Sequence, residues 1–178
     1  MEQSGFNDKE PKQVFIDNAV PADAEEIVNL MKDTWLEVYP SPENGVTSDW
    51  LNKISQSFKP EYVVKKLEEN SDSPNHLFIL ARNQNGEMLG FLQGIKKPDY
   101  NELRSIYLDV DDIGHGTGGK LMEQFLDWID PNNPTQLEVV TYNERAIGFY
   151  EHYGFEKTDK QIEKFLGVMP QTRMVRYK

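Results

Sequence analysis

Ile113-Gly114-His115-Gly116-Thr117-Gly118-Gly119-Lys120 is the stretch on which the reading of this 178-residue chain turns. Four glycines fall within the six positions 114–119, which removes the Cβ atoms that would keep a ligand away from the backbone. The stretch follows an extended segment, Glu102–Val110 (ELRSIYLDV). It opens onto Leu121, Met122, Phe125, Leu126 and Ile129, which share one side of a helix over Gly116–Ile129. A strand that passes through bare glycines into a helix presents unpaired N–H groups at the positive end of the helix dipole, a place suited to phosphate oxygens. One pattern for such a site is G-x-x-x-x-G-K, which Gly114–Lys120 satisfies and which marks nucleotide-binding loops. That pattern needs a Ser or Thr hydroxyl next, for Mg²⁺, and Leu121 stands there. Only residues 121–178 follow, too few for the parallel strands such folds go on to add.

Outward from the loop, Gln136–Tyr142 (QLEVVTY) reads as a strand and Asn143–Tyr153 as a helix, with Phe155–Asp159 and Arg173–Tyr177 as the last strands. Upstream, His76–Arg82 and Met88–Lys96 form a hairpin about Asn85-Gly86, a strong tight-turn dipeptide. Gln13–Asn18 is a first strand. Pro21 then opens a helix whose first turn carries Asp23, Glu25 and Glu26, acids that the dipole favours there. Ile27, Leu30, Met31 and Trp35 recur at helical spacing, so the spacing predicts an amphipathic helix over Ala22–Val38, broken by Pro40, Pro42 and Gly45. Thr47–Ser57 and Pro60–Glu69 follow as two shorter helices. The order is β α α α β β β α β α β β.

Composition narrows the function. The net charge is −11, which repels nucleic acid and anionic membranes and attracts amines or basic peptides. The chain holds no cysteine, so disulfides, thiol nucleophiles and thiolate-bound metals are excluded. His76, His115 and His152 lie at no metal-ligand spacing. No apolar run approaches the length of a membrane span, and the polar start MEQSGFNDKEPKQ lacks a secretory apolar stretch. A cytoplasmic setting is expected, with residues 1–12 as a flexible tail and 13–178 as a single domain.

Residues Glu102–Phe155 resemble the GCN5-related N-acetyltransferases, the GNAT superfamily. Their signature Gln/Arg-x-x-Gly-x-Gly/Ala aligns with Ile113-Gly-His-Gly116-Thr-Gly118. Their second block, N-x-x-A-x-x-F-Y-x-x-x-G-F, aligns with Asn143-Glu-Arg-Ala146-Ile-Gly-Phe149-Tyr150-Glu-His-Tyr-Gly154-Phe155. The resemblance implies an α/β (α+β) fold. One mixed, mostly antiparallel central sheet of six to seven strands carries helices on both faces and is splayed between strands 4 and 5. It implies acetyl-coenzyme A as cosubstrate and a small amine, a polyamine or a peptide amine as acceptor, with a homodimer common in such proteins. A non-catalytic acetyl-CoA-binding regulator on the same fold is the third reading.

Residue by residue, the resemblance implies that the main chain at Leu108 and Val110 pairs with the pantetheine arm like an added strand. Gly114, His115, Gly116, Thr117, Gly118 and Gly119 hold the diphosphate. Lys120 neutralises a phosphate, and Asn143 holds the arm near the thioester. Ile113 departs from the pattern, which normally has Gln or Arg there, so either diphosphate affinity is lower or another cation compensates; the main-chain donors do not depend on that side chain, and binding is expected to survive. Tyr150 corresponds to the helix tyrosine that serves the leaving thiolate as general acid. Glu102 corresponds to the glutamate that histone-acetylating relatives use as base, and a chain of water molecules is the alternative, since many relatives have no single base. Simple alternation puts Glu102, Arg104, Ile106 and Leu108 on one face of the strand. A backbone N–H near Leu108 meets the developing charge on oxygen. Transfer is direct, in a ternary complex.

Overall fold

The structure is a computed structural model that describes residues 13–160 and 162–177; the expected tail at 1–12 lies outside the described residues. It begins with β1 (Val14–Asn18), then α1 (Ala24–Val38), α2 (Ser48–Ser55) and α3 (Pro60–Asn70). A hairpin of β2 (His76–Asn83) and β3 (Met88–Lys96) follows, turning where Gly86 takes φ 83° and its N–H closes onto the Asn83 carbonyl at 3.0 Å. Then come β4 (Asn101–Leu108), α4 (Thr117–Trp128), β5 (Thr135–Val140), α5 (Glu144–His152), β6 (Glu156–Lys157) and β7 (Gln171–Arg176).

The strands form a seven-stranded sheet in the order β1-β2-β3-β4-β5-β7-β6. Every neighbouring pair is antiparallel except β4 with β5, which is parallel. One face packs α4 and α5 through Leu121, Met122, Phe125, Ile147 and Tyr150 against Leu92, Leu103, Leu137 and Met174. The other face packs α1, through Ile27 and Leu30, on Leu80 and Phe91. Trp35, Val46, Leu51, Val140 and Met169 form a further cluster there. Burying these side chains supplies the main driving force, about 1.5–3 kcal/mol for each large apolar one.

The feature that makes the site is where β4 leaves β5. The two strands pair only at Asn101–Thr135 and Glu102–Gln136. Asn101, fully buried, fastens that end: its amide donates to the Asp130 and Asn133 carbonyls and its side-chain oxygen accepts from the Asp130 N–H. Beyond it the strands part. A bulge contributes to the parting, because β4 pairs Leu103 with Gly94 and Ser105 with Gln93, leaving Arg104 as an extra residue. An extra residue bends the strand and increases its twist.

Three sequence expectations change here. Strand β4 stops at Leu108 instead of running to Val110, because the Asp109 carboxylate accepts the Asp111 N–H and starts a 3-10 turn over Val110–Asp112. Glu102 does not share a face with Ile106 and Leu108. The extra residue at Arg104 shifts the alternation by one, so Leu103, Ile106 and Leu108 face α4 and α5 while Tyr107 faces α1. The strand expected from Phe155 to Asp159 is cut to Glu156–Lys157, paired with Val175 and Met174.

Candidate active site

The glycine loop owes its shape to backbone conformation. Gly114 and Gly116 take φ 86° and 92°, a left-handed region that side chains with a Cβ rarely enter. Gly116 is the N-cap of α4, and among the described residues the N–H groups of Gly114, Gly116, Thr117, Gly118 and Gly119 meet no backbone acceptor. These donors, with the helix dipole behind them, form an anion cradle. The loop is tied down from beneath. Buried Thr117 donates its hydroxyl to the carboxylate of buried Asp112, and the His115 N–H bonds the Asp112 carbonyl. Nothing in the sequence marks Asp112 for this part, since an acid between Val110 and a glycine run carries no pattern of its own.

The cradle borders a cleft of about 490 Å³. Leu108, Ile113, Gly114, Gly116, Gly118, Gly119, Asn143 and Tyr150 all line it, together with Arg145 of α5 and Thr34 of α1. Four residues expected from the sequence to hold the cosubstrate do not line it. Thr117 is held inward by Asp112, His115 and Lys120 are exposed, and Val110 lines an adjoining groove that shares Val38, Ile113, Asn143 and Arg145 with the cleft. Thr34 and Arg145 are additions that only the packing of α1 and α5 against the loop brings forward.

The unpaired edge of β4 faces this cleft. The Asp109 N–H bonds Leu89 on β3 at 2.9 Å, so alternation turns the N–H and C=O of Leu108 and Ile106 the other way, into the gap. The Leu108 carbonyl accordingly lies 3.0 Å from the Thr34 hydroxyl. Asn143 caps α5, its side-chain oxygen accepting the Ala146 N–H at 3.1 Å, which leaves its two amide hydrogens available toward the cleft.

A second cleft, about 660 Å³, opens on the side of α1, α2 and the β6–β7 loop. Glu102 lies here, 3.5 Å from Arg104. The two clefts share Tyr39, Ile106, Tyr107, Asn143, Ala146 and Tyr150 as lining residues, so they meet inside the gap between β4 and β5.

That junction is walled by tyrosines. Tyr150 is 8 % exposed; its ring packs against Phe149 and Phe155, and its hydroxyl bonds no other described residue. Burial, aided by nearby Tyr107, pushes its hydroxyl far above the ordinary tyrosine range. Burial also raises Tyr107, against the opposing effect of hydrogen bonds from Trp35 and Tyr39; the Trp35 indole donates to the Tyr107 hydroxyl at 3.0 Å. Tyr39 is raised by burial first, then by Tyr107 and Tyr150. A hydroxyl with so high a pKa stays protonated and donates.

Stability inherits a pH dependence from this cluster. Above about pH 10 the tyrosines of the unfolded chain ionise, while Tyr39, Tyr107 and Tyr150 keep their protons in the fold. The unfolded state then binds fewer protons, so stability that is complete below about pH 10 falls as pH rises into the raised range. Melting temperature is expected to drop steeply above about pH 10, with phenolate absorbance appearing together with unfolding. A melting temperature that stays flat from about pH 9 to 12 contradicts this burial.

Comparison with known proteins gives this geometry a family. Residues 25–155 match the sequence profile of the Acetyltransferase (GNAT) family. The chain belongs to that family. GNAT proteins are acyltransferases with acetyl-CoA as cosubstrate. Among curated proteins the chain is 27 % identical, over 157 residues and 84 % of its length, to the spore coat polysaccharide biosynthesis protein SpsD of Bacillus subtilis. It spans about half (50 %) of that relative's length. Among solved structures, PaiA N-acetyltransferase from Thermoplasma acidophilum in complex with coenzyme A superposes with TM-score 0.76 at 16 % identity, covering 93 % of this chain and 99 % of that one. A variant of the spermidine N-acetyltransferase SpeG from Vibrio cholerae superposes with TM-score 0.66 at 16 % identity, covering 92 % of each chain. These likenesses extend the GNAT fold over nearly the whole chain. No helix among the described residues is long and apolar enough to cross a membrane.

Coenzyme A fits what the residues offer: an anion cradle at Gly114–Gly119, an unpaired strand edge at Ile106 and Leu108, and a cleft floored by apolar Leu108, Ala146 and Phe149.

Proposed function

We propose that this GNAT protein acetylates the primary amine of a small molecule by direct transfer in a ternary complex. The observation that carries the reading is the meeting of the two clefts at Tyr150, Tyr107 and Asn143, which gives cosubstrate and acceptor separate entrances to one junction. Acetyl-CoA supplies the activated thioester. The N–H groups of Gly114, Gly116, Gly118 and Gly119 bind the diphosphate, and the edge of β4 at Ile106 and Leu108 aligns the pantetheine amides. The Ile106 or Leu108 N–H donates to the thioester oxygen, where negative charge grows. Tyr150 donates to the sulfur, its raised pKa ensuring that it carries a proton to give. Glu102, on the acceptor side, receives the proton of the incoming ammonium directly or through water. With no cysteine in the chain, no acetyl-cysteine forms, and single-step transfer needs both substrates bound together.

A thiol-release assay with acetyl-CoA and a panel of amines tests the reading. Intersecting double-reciprocal lines are the expected pattern; parallel lines, or no thiol release with any amine, overturn it. A peptide amine is the second reading, favoured by the volume of the acceptor cleft, about 660 Å³, and by its rim of exposed Phe165 and Leu166, 41 % and 48 % accessible.

Arg145 takes over from the missing family Gln or Arg at Ile113. It lines the same cleft as Ile113 and forms no ion pair among the described residues. Arg145→Ala is expected to weaken acetyl-CoA about tenfold, the scale of one charge-assisted contact. Acetyl-pantetheine, which has no diphosphate, is expected to change less than about twofold; equal losses for both thioesters would place Arg145 elsewhere.

A further inference from the structure

The acceptor cleft carries a charge pattern that bears on which amine it takes, given the acetyl transfer proposed for this protein, on which the inference rests. Four charged side chains line this cleft: Glu102, Arg104, Glu138 and Arg173. They sum to zero, so the chain's charge of −11 lies elsewhere. Each carboxylate is already engaged, Glu102 3.5 Å from Arg104 and Glu138 2.6 Å from Arg173. The distal ammonium of a polyamine therefore meets no unpaired carboxylate in the cleft.

The guanidinium groups are the side with donors to spare, since each carries five N–H bonds. Arg173 is the more telling of the two. It stands on β7 opposite Glu138 on β5. Its neighbour Met174 points into the α4–α5 core, so Arg173 projects from the opposite face, toward the cleft. Its Nε is shut off from solvent and donates to nothing among the described residues, a state that buried donors rarely keep without a purpose.

Above this floor stands an apolar wall. The Trp35 ring centroid lies 4.8 Å from that of Phe58 and 5.7 Å from that of Phe165. Leu166, next to Phe165 at the mouth, holds φ 51°. Leucine in the left-handed region costs energy that Asn or Gly would avoid, yet it keeps an apolar side chain at the rim.

We propose that the acceptor is a free amino acid with an apolar or aromatic side chain. Its carboxylate meets the Arg173 guanidinium, its side chain enters the wall of Trp35, Phe58 and Phe165, and its amine reaches the junction at Tyr150. The ammonium first gives one proton to Glu102 or, through water, to the medium. The nitrogen lone pair then forms the C–N bond as the thioester C–S bond breaks, Tyr150 gives its proton to the sulfur, and the second nitrogen proton restores the Tyr150 hydroxyl, giving an N-acetylamino acid and coenzyme A.

The test is thiol release at fixed acetyl-CoA with L-phenylalanine, L-leucine, L-phenylalaninamide, phenethylamine, spermidine and a Phe-Ala dipeptide, with acetyl-CoA binding measured separately by calorimetry. L-Phenylalanine or L-leucine is expected to exceed the amide and phenethylamine at least about tenfold in kcat/KM. Arg173→Gln is expected to raise KM for the amino acid, with a loss at least about tenfold larger than for phenethylamine. If that variant does not fold, the acid-against-amide comparison on the native protein decides alone. Binding of acetyl-CoA together with preference for spermidine, the amide or the dipeptide overturns this inference and leaves the transfer reading standing. Failure to bind acetyl-CoA overturns both.

Discussion

Tyr150→Phe is expected to lower kcat by about a hundredfold or more, the range of general-acid contributions, while the Kd of acetyl-CoA moves less than about threefold. The two effects separate because ring and hydroxyl do different things. The ring is the structural part, edge-on to Phe149 and Phe155 in the α5 core, and phenylalanine keeps it. The hydroxyl bonds no other described residue, so its removal strands no partner and leaves the fold close to its original stability. The loss is that of a donor held at the junction of the two clefts, protonated across the working pH range because burial disfavours its anion. Steady-state kinetics and calorimetry on the same preparation read both quantities. An unchanged kcat would remove Tyr150 from the chemistry.

Gly118→Val is expected to reverse that split, abolishing cosubstrate binding with the chemistry otherwise intact. A Cβ at Gly118 would stand 3.1 Å from Leu108 Cδ1 and 3.6 Å from the Phe149 ring. It would therefore lie across the cleft between the β4 edge and α5, on the path proposed for the pantetheine arm. Two further methyl groups on that Cβ fill the passage. Acetyl-CoA affinity is expected to fall at least about a hundredfold, because the arm can neither pair with β4 nor reach the cradle, and about 2–3 kcal/mol of contact is a modest share of such an interface. Since Gly118 sits inside α4, where valine is tolerated, the helix itself survives. Titration calorimetry measures the loss, and retained affinity would mean that the arm runs by another route.

The parts of the fold legible in the sequence are those with a local physical signature. Asn85-Gly86 announced its hairpin because a positive φ needs such residues. The spacing of Leu121, Met122 and Phe125 announced the buried side of α4. The two GNAT motifs announced the family and the splayed sheet. The hidden parts depend on register. The bulge at Arg104 adds one residue to β4 without any change of composition, yet it moves Glu102 to the face opposite Ile106 and Leu108. The end of β4 at Leu108 turned on one carboxylate, Asp109, choosing the Asp111 N–H. Thr34, Arg145 and Asp112 joined the candidate site through contacts between distant elements, and nothing in their own neighbourhoods marks them. The inward turn of Thr117 shows the converse: a motif position whose side chain serves the loop's own rigidity instead of facing the cleft.

The partial pairing of β4 with β5 also has a thermodynamic side. The two halves of the sheet are zipped together through Asn101–Thr135 and Glu102–Gln136 at one end only. In the proposed binding mode the pantetheine arm completes the ladder beyond that end, which makes the cosubstrate a removable piece of the architecture. Any ligand that binds only the folded chain adds RT ln(1 + [L]/Kd) to its stability, about 2.7 kcal/mol at a hundredfold excess over Kd. On this binding mode the melting temperature is expected to rise with added coenzyme A as well as with acetyl-CoA, because both carry the arm and the diphosphate.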